Sequence, residues 1–232
     1  LVDKWANRLT GEMKGRGLLS YKRVRRNYDA IIRDFAALPR EKTEKIRVGV
    51  VGEIYVKFSP LGNNNLEDFL LSEGAEVVVP GLLDFCLYCV YNQLNDHKLY
   101  GLMSAAKTFV LRMVYNMLVK KQRDVIDAVN AEGTFRPGGY FPHTVELVRG
   151  YISHGVKMGE GWLLTAEMLE LIEQGAGNIV CTQPFGCLPN HIVGKGMMRV
   201  IKERNPQSNI VAVDYDPGAT KINQENRIKL ID

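Results

Sequence analysis

The 232-residue chain is 46% hydrophobic and 24% charged, which is enough apolar material for a folded core and excludes a disordered tail. Thirty Lys and Arg residues against 26 Asp and Glu give a formal net charge of +4, too small to indicate nucleic-acid binding. No run approaches the roughly 18 consecutive apolar residues of a membrane span, so we expect a cytoplasmic protein with no membrane partner. The four cysteines are too few for a disulfide scaffold and should be free thiols or metal ligands.

The N-terminal part of the chain predicts a helical lead-in. Apolar residues recur every three or four positions from Tyr21 to Phe35, which indicates an amphipathic helix that ends before Pro39. We therefore expect residues 1–45 to pack on a main body formed by residues 46–232. Because the chain starts at Leu1 rather than at methionine and stops within a helix-like stretch, we also expect it to be a fragment of a longer protein.

The main body alternates apolar runs with helical patterns. The runs that predict strands are Ile46 to Val51, Ala75 to Val79, Ile179 to Cys181 and Ile210 to Val213. Helices are predicted after Asn65, over residues 161–174, and again after Asn190. Alternation of this kind predicts an α/β fold with a mostly parallel sheet that is covered on both sides.

Two further helical features are predicted in the main body. A long central helix over residues 102–130 carries an apolar stripe, which we expect to lie in the core: Leu102, Ala106, Phe109, Met113 and Met117. Near the C-terminus, the "DPG" sequence places Asp216 as a helix cap before Pro217 at the first helical position.

Ligands of parallel sheets gather at loops that follow the strands, and the first such loop contains Asn63, Asn64 and Asn65. It completes neither G-x-G-x-x-G nor the P-loop pattern, so neither fingerprint supports nucleotide binding there. The asparagines are candidate ligand contacts, but caps and turn residues are the favoured interpretation.

The second loop region carries Cys86 and Cys89 in C-x-x-C spacing just after the second predicted strand. On a helix this spacing puts both sulfurs on one face, as metal or redox chemistry requires. Aromatic residues surround the pair, however, and free cysteine is often buried. The spacing alone leaves metal binding and core packing open.

The third loop is "CTQPFGCLPNHIVGKGM", residues 181–197. It would hold Cys187 beside the N-terminus of the next helix, which lowers a thiol pKa and favours metal ligation. Gly194 and Gly196 are costly in a helix and indicate that another backbone or a ligand approaches closely. Asn190 and His191 lie at the helix start, where we favour a capping or supporting role for His191 over direct ligation. All four cysteines together are an alternative, a structural zinc site.

The order of several motifs resembles a known family. "VGEIYVKFSPLGNNNLEDFL", "EVVVPGLLDF", "IVCTQPFGCLPNHIVGKGM" and "DYDPGATKINQENRIK" resemble the C-terminal region of CoA-substrate-specific enzyme activase-related proteins. That region is similar to subunits of 2-hydroxyglutaryl-CoA dehydratase and benzoyl-CoA reductase, enzymes of anaerobic metabolism. The match runs from about residue 46 to the end of the chain.

The resemblance implies a Rossmann-like three-layer domain that is the second of two halves. It implies an oxygen-sensitive [4Fe–4S] cluster between the halves, with Cys187 as the preferred ligand from this half, Cys181 as the less favoured one, and the other ligands in the missing first half. Electrons would come from activase domains on the same or another chain, and ATP would bind only there. An acyl-CoA-type substrate would be dehydrated or reduced. The isolated fragment need not hold the cluster, and a homodimer is plausible.

Different functions remain open at this point. A cluster-free docking or regulatory domain could keep the same fold and bind the activase domains or a CoA-like ligand. No residue makes a convincing general acid or base, because His97 and His143 have no paired carboxylate at readable spacing. We therefore assign no catalytic residue from the sequence.

Overall fold

The computed structural model describes residues 1–14, 20–40, 43–101, 103–216, 218 and 220–229. The chain divides into two compact units. A helical unit comprises Leu1–Thr43 with Met117–Tyr140, and a sheet unit comprises Glu44–Asn116 with Phe141–Asp232. Leu102 of the predicted stripe and Pro217 of the predicted cap lie outside the described residues.

The helical unit contains α1 (Val2–Met13), α2 (Tyr21–Ala36) and the C-terminal part of α6 (Ala105–Glu132). The lead-in thus has an earlier helix in addition to the predicted one. Trp5 of α1 is buried, and its ring nitrogen donates to the Asp34 carboxylate of α2 at 3.0 Å. Apolar residues of α2 are half-buried and its basic residues are exposed, as an amphipathic helix requires. Packing of the lead-in on the main body stays a prediction.

The sheet unit is built on four parallel strands: β1 (Arg47–Gly52), β2 (Glu76–Val78), β3 (Asn178–Pro184) and β4 (Asn209–Tyr215). Their order is β2-β1-β3-β4. Val50 pairs with Val180, and Val180 pairs with Val211, across the centre of the sheet. All four predicted strands are present, which confirms the α/β class with a parallel sheet.

Helices cover both faces of the sheet. Val50 and Val180 face a core shared with α4 (Leu66–Ser72) and α11 (Lys221–Ile228). Val51 and Cys181 face the opposite core, shared with α8 (Gly161–Glu173) and α10 (Gly196–Arg204). The central strands read as continuous apolar runs because both of their faces are buried. The result is the three-layer, Rossmann-like arrangement.

The remaining elements of the sheet unit flank this framework. They are α3 (Ile54–Phe58), α5 (Leu82–Tyr100), α7 (Phe141–Leu147) and α9 (Leu188–Asn190), with a π-helical turn (His191–Lys195) that joins α9 to α10. The Tyr91 ring of α5 packs edge-on against Trp162 of α8, with a centroid distance of 5.5 Å. The Phe141 ring of α7 packs at a tilt against the same Trp162 ring, with a centroid distance of 6.1 Å. In the described part of the chain, no helix has the length and apolar character needed to cross a membrane.

The structure corrects the prediction for the central helix. Ala106, Phe109, Met113 and Met117 lie on the exposed face of α6, and Phe109 is 64% exposed. Thr108 and Gln122 are the buried residues of this helix. Periodicity identifies residues that share a face, but it does not show whether another element covers that face.

The predicted cap at Asp216 is also wrong. Helix α11 begins at Lys221, with Thr220 at the N-cap position. The Asp216 carboxylate instead accepts a hydrogen bond from the Gly218 backbone N–H at 2.9 Å. Asp serves equally well in such a local turn, so the residue type could not separate the two structures.

Candidate site at the carboxyl ends of the central strands

The strand order creates a crevice between β1 and β3. From β1 the chain proceeds to β2 on one side, and from β3 it proceeds to β4 on the other. Their carboxyl ends therefore form the topological switch point, where open α/β sheets bind their ligands. The segments beginning at Glu53 and Phe185 border this crevice.

The two strands approach each other very closely at the crevice. Gly52 has a φ of +144°, and a Cβ atom there would lie 1.9 Å from the Thr182 carbonyl oxygen. The Glu53 backbone N–H donates to that same carbonyl at 3.0 Å, and the Thr182 hydroxyl donates to the Val51 carbonyl at 3.1 Å. The floor of the crevice is thus a rigid, hydrogen-bonded backbone in which only glycine fits at position 52.

Cys187 lies at the start of the helical segment that follows β3. It is the N-cap residue of α9, and its thiol is partly exposed. The Asn190 side-chain amide donates to the Cys187 sulfur at 3.4 Å. The sulfur itself caps no backbone N–H of α9, so the Asn190 amide is its donor from this segment.

His191 is oriented by the same residue. Its Nδ1 atom lies 2.9 Å from the Cys187 carbonyl oxygen. Because a carbonyl can only accept, Nδ1 carries the proton in this contact. His191 therefore supports the Cys187 backbone, in agreement with the supporting role that the sequence favours.

Cys181 has the opposite environment. It lies within β3 and is completely buried. A Cβ atom on Gly194 would lie 3.0 Å from the Cys181 sulfur and 3.2 Å from a Leu164 methyl carbon, so it is these core side chains that approach this glycine. Burial, reinforced by the charge of Glu167, raises the pKa of Cys181 to about 12. A group that stays a thiol at neutral pH is a poor metal ligand.

A polar network connects the ends of β3 and β4. The Gln183 side-chain amide donates to the Asp214 carboxylate, and the Lys195 ammonium donates to the same carboxylate at 2.7 Å. Burial acts to raise the pKa of Asp214, but these two hydrogen bonds outweigh it and hold the pKa below its usual range. The carboxylate therefore stays charged and fixes the π-helical turn above β3.

Two carbonyl oxygens at this edge lack a donor. Gln183 and Asn190 are both completely buried, and neither the Gln183 Oε1 atom nor the Asn190 Oδ1 atom has a hydrogen-bond partner within the described ranges. Buried acceptors of this kind are normally satisfied by water or by a bound group. Gln183 lies on β3, and Asn190 lies on α9, which begins directly after Cys187.

The three asparagines of the first loop are used within the fold. Asn63 donates to the Val56 carbonyl at 2.9 Å and accepts from the Leu66 N–H at 3.1 Å. Asn64 donates to Gln224 of α11 at 2.7 Å, and Asn64 and Asn65 both have left-handed backbones. These contacts match the turn and capping interpretation of the loop.

Cys86 and Cys89 lie on the helix that follows β2. Both are exposed on α5. Over the described ranges, no three His, Cys, Asp or Glu side chains are grouped so as to hold one metal ion. The structure therefore does not bring the four cysteines into one site.

Large apolar side chains are exposed in the segments that border the crevice, and we call them the apolar rim. They are Tyr55, Leu61, Met158, Phe185, Leu188 and Ile192, with exposed fractions between 51% and 86%. A Cβ atom on Gly159, next to Met158, would contact Pro189 at 3.3 Å, which places that loop beside Cys187. Exposed apolar residues indicate a surface that another molecule covers only where they form a continuous patch.

Asp214, Gln183 and Lys195 were not among the site residues inferred from the sequence. Asp214 directly follows the last predicted strand, so the rule that ligands gather at carboxyl ends could have identified it. Gln183 follows the third predicted strand by two residues, so the same rule applies to it, whereas Lys195 lies farther along the chain and carries no comparable signal.

Comparisons with known proteins do not add a relative. Neither a protein-family model, nor a curated protein, nor a solved structure matches this chain. The fold class, a Rossmann-like α/β domain, is thus defined by the structure alone.

Proposed function

We propose that the sheet unit is the second half of a 2-hydroxyacyl-CoA dehydratase-like iron–sulfur component, to which Cys187 supplies one thiolate ligand. The observation that carries the proposal is the position of Cys187: a partly exposed thiol at a helix start, beside the switch-point crevice, with the Asn190 amide donating to its sulfur. Hydrogen bonds to a thiolate are a principal means by which proteins tune iron–sulfur clusters.

The residues fit a cluster that is shared with another protein segment. A [4Fe–4S] cluster takes four ligands, and of the two thiols on β3 and the segment after it, Cys187 is partly exposed whereas Cys181 is buried. The remaining ligands then belong to the first Rossmann-like half, which this chain does not include. When bound, such a cluster would accept and pass on single electrons.

The apolar rim supports a cluster whose ligands come from two protein segments. A surface with exposed Leu61, Phe185 and Leu188 is unfavourable in water and gains free energy when it is covered. The missing half would cover the rim and at the same time bring its own ligands to Cys187. Activase domains would deliver the electrons, and ATP would bind only to those domains.

The substrate of the proposed enzyme is an acyl-CoA-type molecule. The proposed location of the protein is the cytoplasm. The chain's own contribution to substrate handling is positional: the rigid backbone at Gly52 and Thr182 forms the floor of the crevice. We assign no general acid or base to this half.

A cluster-free docking or regulatory domain is the second candidate function. The apolar rim favours it too, because a surface that recruits the activase domains needs no metal. The two candidates differ in what Cys187 binds.

Iron and acid-labile sulfide, measured with the visible spectrum after anaerobic purification of the full-length protein, test the proposal. We expect both elements in the wild type and a loss of most of the iron in Cys187→Ser, because serine offers no thiolate. Cys86→Ser is the matched control, since it removes an exposed thiol elsewhere. Absence of iron and sulfide in the wild type would leave the docking-domain function, and an unchanged iron content in Cys187→Ser would remove this residue as a ligand.

A further inference from the structure

Two thiols on α5 face solvent and have no role in the proposed function. Cys86 and Cys89 are both exposed, whereas Leu87 and Tyr88 between them are buried. Free cysteine is among the most buried residue types, and its chemistry rather than its packing usually accounts for its presence at a surface. Core packing, one of the two interpretations left open by the sequence, does not apply to these thiols.

The helix that carries the pair is fixed from its other face. The Tyr88 hydroxyl donates to the Lys157 carbonyl at 2.7 Å, and its ring lies 5.2 Å from that of Trp162. One turn later, the Trp162 ring nitrogen donates to the Asn92 side chain at 2.9 Å. The Cys86 and Cys89 side chains therefore project from a rigid backbone, which is what a preorganised binding site requires.

The helical spacing favours chelation over a disulfide. Residues three apart on a helix have Cβ atoms about 5–6 Å apart, whereas a disulfide requires about 3.8 Å. Closing that bond between Cys86 and Cys89 would deform α5. Two sulfurs on one tetrahedral zinc ion, at about 2.3 Å each, lie close to 3.8 Å apart. Rotation of the two side chains reaches that separation without moving the backbone.

The pair supplies only half of a tetrahedral site. Across the described residues, no further His, Cys, Asp or Glu joins these two thiols in a metal-binding group. Structural zinc sites use four ligands. The same pair from a second copy, related by a two-fold axis through the metal, would complete the set.

The surface around the pair permits such an approach. Between Leu82 and Gln93, the exposed residues of α5 are Leu82, Cys86, Cys89 and Gln93, and none of them is charged. Two copies of this face can therefore meet without repulsion between like charges. Leu82, which is 55% exposed, would be covered at the same time.

We propose that Cys86 and Cys89 form half of a tetrahedral tetrathiolate site for a thiophilic divalent ion such as zinc, completed by the same pair from a second copy of the chain. Four thiols bind one Zn²⁺ ion, and four protons are released to solvent. No electron is transferred, so no oxidant or reductant is needed. Cys187 supplies no ligand to this site, and the site does not require the function proposed above.

Zinc titration of the reduced, metal-free full-length protein tests the proposal. Bound zinc is measured by competition with a chromogenic chelator, and the oligomeric state by sedimentation. We expect one zinc per two chains and a dimer that forms only with zinc. Loss of one direct ligand in Cys86→Ser or Cys89→Ser should weaken zinc binding on the order of 100-fold or more, since even supporting groups contribute 10–100-fold.

Controls separate a lost site from a lost fold. Cys187→Ser should bind zinc and dimerise as the wild type does. Cys89→His should recover part of the affinity that Cys89→Ser loses, because imidazole is also a zinc ligand. The proposal is overturned by zinc bound at one per chain without dimerisation, by the absence of zinc binding, or by a zinc-dependent dimer that persists in both serine variants.

Discussion

Burial decides the chemistry of single residues in this protein. Cys181 and Cys187 are six positions apart, yet one lies inside a central strand and the other caps the following helical segment. The pKa of the buried thiol rises to about 12, whereas the Asn190 amide donates to the other sulfur. From the sequence, Cys187 was expected beside a helix start, and the resemblance preferred it to Cys181 because it lies in a loop after a strand. The thiolate role itself stays a prediction.

Glu170 gives a prediction on pH at this scale. Burial raises the pKa of Glu170, although the Thr144 hydroxyl donates to its carboxylate at 2.7 Å and partly offsets the rise. Between about pH 4.3, the ordinary glutamate value, and the folded pKa, the folded state binds more protons than the unfolded chain. Stability from this residue is thus full below that range and declines as pH rises through it.

We expect Glu170→Gln to flatten this decline. The measurement is the free energy of unfolding by urea at a series of pH values from 4 to about 8. Glu67→Gln is the control, since that carboxylate is exposed on α4. A pH profile identical to that of the wild type would show that Glu170 has an ordinary pKa in the folded state.

Residue roles that depend on long-range contacts could not be predicted from the sequence. Gln183 and Lys195 meet at Asp214 only because β3 pairs with β4 and the π-helical turn lies above them. The exact cause of the costly Gly194 was likewise hidden: core side chains, not a ligand, fill the space beside it.

At the level of elements, the strands were predictable from the sequence. For the central helix, the bounds were predictable but the buried face was not. Strands buried on both faces appear as apolar runs, and the four runs gave all four strands within a few residues. Helix α6 was placed within three residues of its start and two of its end, but its apolar stripe is exposed. Coverage of a helix face is decided by other elements, which periodicity does not report.

Two methionines test this correction. Met113 of α6 is 58% exposed, whereas Met168 of α8 is completely buried. We expect Met168→Ala to lower the free energy of unfolding by about 2–5 kcal/mol, because it leaves a cavity in the core. Met113→Ala should change it by no more than about 0.5 kcal/mol. Urea unfolding of both variants measures the difference, and a comparable loss at Met113 would mean that the stripe is buried.

At the scale of the whole sheet unit, strand order was the feature that no local pattern specified. The sequence predicted a parallel sheet, but the order β2-β1-β3-β4 depends on contacts between distant segments. One such contact is a buried ion pair: the Lys57 ammonium, after β1, lies 3.0 Å from the Glu167 carboxylate of α8. Both residues are nearly inaccessible, at 2% and 3% exposure.

Breaking this pair should destabilise the unit strongly. Burial raises the pKa of Glu167 even with Lys57 beside it, so removal of the cation leaves a costly buried acid. We expect Lys57→Met to lower the free energy of unfolding by about 3–5 kcal/mol, and the double variant Lys57→Met with Glu167→Leu to recover much of the loss. Denaturant unfolding of the single and double variants measures both effects. Equal stability of Lys57→Met and the wild type would contradict the prediction.

The close approach at Gly52 also limits how this protein can diverge. A lineage can exchange most core residues for others of similar volume, but any side chain at position 52 would collide with the Thr182 carbonyl, whose position the strand pairing fixes. A substitution at position 52 is therefore excluded for as long as β1 pairs with β3 in this register. We therefore expect distant relatives to keep a glycine at the end of the first strand. Alignment of very different sequences can start from that glycine.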